Sequence, residues 1–197
     1  LAGTVASALR AVPALQDEDV EDLIVGCGSP AAMQGFNIAR VVAVELGLDT
    51  VPGTTVNRYC ASSVQSSRMA AHAILAGEGD VFLAAGVESI SAYRLGDADE
   101  FPDARNPVFD AAQRVTAERK EQNDPWTDPR ARGALPDVYV DMGQTAENVA
   151  DYAGISRREM DEYAEESQRR ARLAEERGFW KDDISPFTTA DGTTVDR

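Results

Sequence analysis

The chain has 197 residues, enough for one or two domains with a sizeable core, and 43% hydrophobic and 27% charged content, the balance of a soluble globular protein. Its formal charge of -15 is the wrong sign for general nucleic-acid binding, and no apolar run approaches the ~20 residues of a bilayer span. One histidine and two separated cysteines supply neither a metal site nor a disulfide framework, and with no basic, cleavable pattern at Leu1-Ala2-Gly3-Thr4 the reading is cytoplasmic. Of nineteen basic residues only Lys120 and Lys181 are lysines. An anionic ligand would need a local basic patch to offset the chain's own field.

In chain order, Thr4 to Val12 reads as a short helix and Asp17 to Asp22 as a turn or helical turn. Leu23 to Cys27 is a buried strand ending at Gly28-Ser29-Pro30. Asn37 to Leu46 has helical spacing through Ile38, Val41, Val42 and Leu46, with Gly47 as its stop. A strand over 53–57, a helix over 61–76 and an apolar strand over 81–85 follow. Strands alternating with helices, and apolar throughout, predict a layered α/β/α arrangement with a mostly parallel sheet covered on both faces.

Beyond Ser91 the character changes. Asp97 to Pro136 is rich in charge and proline and reads as a long irregular connection, ordered because Phe101, Phe109 and Trp126 need burial. Thr145 to Ala153 and Arg157 to Arg177 read as helices, the second opened by a Ser156–Glu159 capping box and closed by Gly178.

The segment Val56-Asn57-Arg58-Tyr59-Cys60-Ala61-Ser62-Ser63 puts a cysteine where a β-type run meets a helix free of Gly and Pro. The N–H groups at a helix start carry partial positive charge, which favours thiolate, the nucleophilic form. The alternative reading of Cys60 is a small residue packing a strand–helix corner.

Together with Gly77-Glu78-Gly79-Asp80-Val81, Ala85-Gly86-Val87-Glu88-Ser89-Ile90-Ser91, Met142-Gly143-Gln144-Thr145-Ala146-Glu147-Asn148-Val149-Ala150 and the run from Gly154 through Asp161 to Phe179 and Pro186, this segment resembles the thiolase family. The resemblance implies an acyltransferase that moves acyl groups between a cysteine thioester and CoA, by 3-ketoacyl-CoA thiolysis or acetyl-CoA condensation. It implies Cys60 as nucleophile, Met142 as a wall of the acyl and CoA pocket, CoA as substrate with no resident cofactor, and a homodimer or tetramer. Residues 1–92 correspond to part of the family's first α/β half and 93–197 to most of its inserted loop domain. The family's first strand is then expected before Leu1, and its second half, with the G-H-P and C-x-G motifs of its acid–base residues, after Arg197; neither motif occurs here. Such a fragment is expected to be inactive alone. A ketosynthase-like condensing enzyme and a non-catalytic acyl-CoA or partner-binding subunit are the rival readings.

Two positions depart from the family pattern. Ser63 stands where many thiolases have Gly, and Asp141 where biosynthetic members often carry His, which points to a degradative or specialised member. His72, 12 positions beyond Cys60 in the same helix, is roughly 18 Å away along the axis and reads as a surface or packing residue. Cys27 reads as a core cysteine. Arg157, Arg158, Arg169, Arg170 and Arg172 read as a solvated face pairing with Glu165, Glu166 and Glu175 rather than as a phosphate site.

Overall fold

The computed structural model describes residues 1–90, 104–189 and 191–196. Ser91, the 92/93 boundary and the burial expected of Phe101 lie outside the described residues. The chain divides into two compact units, 1–101 with 185–197, and 102–184.

The first unit runs α1 (Ala2–Arg10), β1 (Asp22–Gly26), α2 (Ile38–Glu45), β2 (Gly53–Val56), α3 (Ser62–Ala76) and β3 (Phe82–Gly86). The three strands form one parallel sheet in the order β2-β1-β3. From β1 the chain crosses to β2 on one side, then returns past β1 to β3 on the other. Right-handed crossovers in opposite directions put α2 and α3 on opposite faces.

Glycines record that layering. Leu23 and Val25 of β1 join Val5 of α1 and Ala39, Val42 and Ala43 of α2 in the main core. Gly53, which pairs with Leu23, lets α2 approach so closely that a Cβ there would lie 2.5 Å from the Arg40 nitrogen. On the other face a Cβ on Gly26 would lie 2.3 Å from the Ser62 carbonyl carbon. One on Gly86, its register partner, would lie 2.8 Å from Ser63 Cβ. The side chain of Ser63 therefore fits because Gly86 has none.

Polar side chains lock the ends of α2. Asn37, left-handed at φ 56°, donates through Nδ2 to the Gly53 carbonyl (2.8 Å) and accepts through Oδ1 from Thr55 Oγ1 (2.8 Å), which in turn accepts from the Ala39 N–H (3.2 Å). At the far end Arg40 donates to the carbonyls of Leu48, Asp49 and Val51. A two-stranded antiparallel ribbon, β4 (Phe187–Thr188) with β5 (Thr194–Val195), has no counterpart in the sequence reading.

The second unit holds α4 (Asp110–Gln122), α5 (Met142–Ala153) and α6 (Arg157–Glu176). The expectation of irregular chain over 97–136 is corrected by α4. That helix is exposed along most of its length and has no buried residue, so it carries little apolar periodicity to read. Asn106 caps the turn Pro107–Phe109 that leads into it, accepting from the Val108 N–H at 3.1 Å, and Asn123 ends it in the left-handed conformation. Phe109 and Trp126 are half-buried, each edge-on to a tyrosine, Tyr139 and Tyr152.

Helix α5 starts at Met142 rather than Thr145, because Asp141 caps it by accepting from the Gln144 N–H at 2.8 Å. The capping box of α6 is present, and Gly178 closes the helix at φ 68°. The arginines of α6 do form a solvated paired face, with Glu166 as expected and with Asp161, Glu162 and Glu176 as the further partners, set by three- and four-residue spacing. Among the described residues no helix is long and apolar enough to cross a membrane.

Candidate active site

All three parallel strands deliver their carboxyl ends to one place, the position at which open α/β sheets bind ligands. A cleft of about 630 Å³ opens there, lined among others by Gly28, Ser29, Tyr59, Cys60, Ser63 and Glu88. Cys60 is solvent-exposed in the middle of a one-turn 3-10 segment, Tyr59–Ala61, between β2 and α3. The N-terminal turn of α3 follows directly, so its partial positive charge lies next to the thiol.

Several contacts fix that turn. Tyr59 takes φ 45°, rare for a residue with a side chain, and its N–H donates to Asn57 Oδ1 at 2.7 Å. Buried Ser62 ties both sides: its Oγ accepts from the Arg58 N–H (2.8 Å) and donates to the Tyr59 carbonyl (2.6 Å). Ser66, fully buried one turn later, holds α3 to β3 through the Ala85 carbonyl (2.9 Å).

Glu88, two residues past β3, is the acidic member of the lining. Its Oε2 accepts from the Gly28 N–H (2.8 Å), and its Oε1 from the Ser29 N–H (3.2 Å) and Gln34 Nε2 (2.9 Å). The Cys27 thiol, fully buried, points at the same Oε1 from 3.9 Å. Burial pushes the Cys27 thiol pKa up, a Ser29 backbone hydrogen bond partly offsets this, and the Glu88 charge pushes it further up. Cys27 is thus held as a protonated core thiol, whereas Cys60 faces the cleft.

Met142 belongs to the other unit, at the first position of α5, and is 73% exposed. A separate cleft of about 780 Å³ in that unit, lined by Val115, Arg119, Trp126, Leu135, Val149 and Tyr152 among others, does not include it. His72 is exposed on α3, away from the cleft lining. Sequence reasoning passed over Glu88, although it lies within a quoted motif. A lone carboxylate just after an apolar strand was the available signal.

This is an α/β domain with a parallel sheet that presents an exposed cysteine, on a strand–helix turn, to a cleft at the carboxyl ends of its strands. The profile of the thiolase N-terminal domain matches residues 1–196, and the chain belongs to the thiolase family. It is 36% identical to a 3-ketoacyl-CoA thiolase of Bacillus subtilis over 169 residues, 85% of this chain and 37% of that protein. It is 35% identical to a beta-ketoadipyl-CoA thiolase of Acinetobacter baylyi over 187 residues, 93% of this chain and 44% of that protein. An acetyl-CoA acetyltransferase of Chromobacterium violaceum is 35% identical over 189 residues, 94% of this chain and 44% of that protein. The chain thus spans roughly two fifths of the length of these relatives.

Proposed function

We propose that this chain is the nucleophile-bearing part of a thiolase-type acyltransferase acting on acyl-CoA. The observation that carries the reading is Cys60, exposed on the turn between β2 and α3 and open to the cleft. In thiolysis the Cys60 thiolate attacks the 3-keto carbon of a 3-ketoacyl-CoA. The bond between the second and third acyl carbons breaks, and its electron pair takes up a proton to release acetyl-CoA. The acyl group left on Cys60 passes to the thiol of a second CoA, which frees the cysteine.

Sulfur exchange and carbon–carbon cleavage conserve electrons at each step, so CoA enters as substrate and no resident cofactor is required. The start of α3 offers N–H donors to the developing oxyanion. Met142, at the first turn of α5, is assigned to the wall of the acyl path, where a flexible thioether accommodates varied chains. Fatty-acid degradation in the cytoplasm, by a homodimer or tetramer, fits the reading.

The test is the intact mass of the full natural protein before and after acetyl-CoA. One acetyl group is expected, mapped to the Cys60 peptide, removed by free CoA and absent from Cys60→Ala, which also loses turnover. An unmodified protein that still binds acyl-CoA would reassign the chain to a binding subunit.

A further inference from the structure

We infer that Ser63 holds the substrate's reacting group: its hydroxyl donates a hydrogen bond to the carbonyl oxygen of the acyl group that Cys60 takes up. The contact rests on the reading of Cys60 as the nucleophile and adds a side-chain donor to it. Four serines crowd the start of α3: Ser62, Ser63, Ser66 and Ser67. A serine in a helix either turns its hydroxyl back onto a carbonyl three or four residues earlier or points it outward. Three of the four turn back. Ser62 Oγ donates to the Tyr59 carbonyl at 2.6 Å, and Ser67 Oγ to the Ser63 carbonyl at 3.0 Å. Ser66 Oγ lies 2.9 Å from the carbonyls of Ser63 and Ala85.

Ser63 is the exception. Its hydroxyl makes no hydrogen bond among the described residues, and the carbonyl four residues back, that of Tyr59, is already engaged by Ser62. Ser62 and Ser66 are buried and tie the turn and the helix to the sheet, whereas Ser63 is exposed and lines the cleft with Cys60. One hydroxyl of the four is therefore left over from the fold, and it is the one that faces the nucleophile's cleft.

The spacing puts that hydroxyl within reach of the reacting group. Cys60 lies in the 3-10 turn and Ser63 three positions on, at the second residue of α3. Residues three apart stand one above the other in such a turn, at about 5–6 Å between Cβ atoms on a helix. An acyl carbon bonded to Sγ carries its oxygen into that gap, where a hydroxyl one turn on can meet it at hydrogen-bond length. The contact strengthens as negative charge develops on the oxygen, so it acts on the rate of acyl transfer rather than on binding. Many thiolases carry Gly at the position of Ser63, and a glycine has no such donor to offer.

The experiment follows modification of the Cys60 peptide, by mass spectrometry, in the full natural protein and in Ser63→Ala, with acetyl-CoA and with methyl iodide. In acetylation the acetyl carbon leaves the CoA sulfur for Sγ, and the proton of the Cys60 thiol ends on the CoA thiol. Methylation uses the same sulfur but brings no oxygen. Alanine is the stronger helix former, so α3 is retained in the variant. At saturating acetyl-CoA, acetylation of Ser63→Ala is expected to slow about fivefold or more, the worth of one hydrogen bond, with methylation and the half-saturating concentration unchanged. Acetylation at the natural rate overturns the inference. So does an equal fall in both reactions, which would put the hydroxyl on the sulfur, or a change in the half-saturating concentration alone. A natural protein that is methylated but takes no acetyl group sinks the acyltransferase reading and the Ser63 contact together, whereas the outcomes in Ser63→Ala bear on the contact alone.

Discussion

At the scale of single residues, this site depends as much on missing side chains as on present ones. Gly26 and Gly86 end neighbouring strands in register, and the first turn of α3 lies directly on them. Gly26→Ala drives a methyl to 2.3 Å from the Ser62 carbonyl carbon, against backbone that has no rotamer to yield. Overpacking of this kind costs about 1–3 kcal/mol. The expected result is a lower urea midpoint together with slower iodoacetamide labelling of Cys60, because α3 and its leading turn move as one. Stability lost with labelling unchanged would mean that the helix start does not set the thiol. The cysteine itself was legible in sequence, since a strand-forming run followed by a Gly- and Pro-free helix marks a junction. Its support was not: Glu88 meets Gly28 from 60 positions away, a pairing that only the parallel register of β1 and β3 creates.

At the scale of elements, legibility followed apolar pattern. Strand β1 and one face of α2 announced themselves because they are buried, with Leu23 and Val25 fully enclosed, whereas β2 is half-buried and β3 partly exposed. Helix α4 did not, because no residue in it is buried and only its caps distinguish it from polar loop. Helix α6 is equally exposed, yet its capping box and charge spacing made it readable. Those charges have a pH consequence. Glu166 accepts from Arg169 and Arg170, and these hydrogen bonds pull its carboxyl from 4.5 to about 2. A carboxyl lowered on folding stabilises above its unfolded pKa and loses that contribution as pH falls through the folded one. Helicity in α6 is therefore expected to decline between about pH 4.5 and 2. Glu166→Gln is expected to remove that part of the decline, read by far-UV circular dichroism on the chain and the variant. An identical acid transition in both would show that the Arg169 and Arg170 contacts carry no weight.

At the scale of the whole chain, 34 acidic against 19 basic residues leave -15, and the two kinds of electrostatics respond to salt in opposite directions. The ion pairs of α6 are exposed, so each contributes little, and screening weakens them. The excess acids repel one another over longer distances, and that repulsion fades as the Debye length shrinks from about 30 Å at 0.01 M to about 8 Å at 0.15 M. With a net excess of fifteen acids against a handful of exposed pairs, repulsion is expected to dominate. The thermal midpoint is accordingly expected to rise by about 2–4 °C between those ionic strengths, the shift that ~1 kcal/mol produces at this size. Glu45 gives the same argument a local test. It is an exposed anion on the last residue of α2, whose own last turn carries no basic residue against the partial negative charge of the helix end. Glu45→Lys makes the net charge of -15 less negative by two and turns a repulsive helix-end contact into an attractive one. It is expected to raise the midpoint most at low salt and to shrink the salt-dependent rise. A midpoint that falls with added salt would mean that the paired face of α6, and not the acidic excess, dominates the electrostatics of this chain.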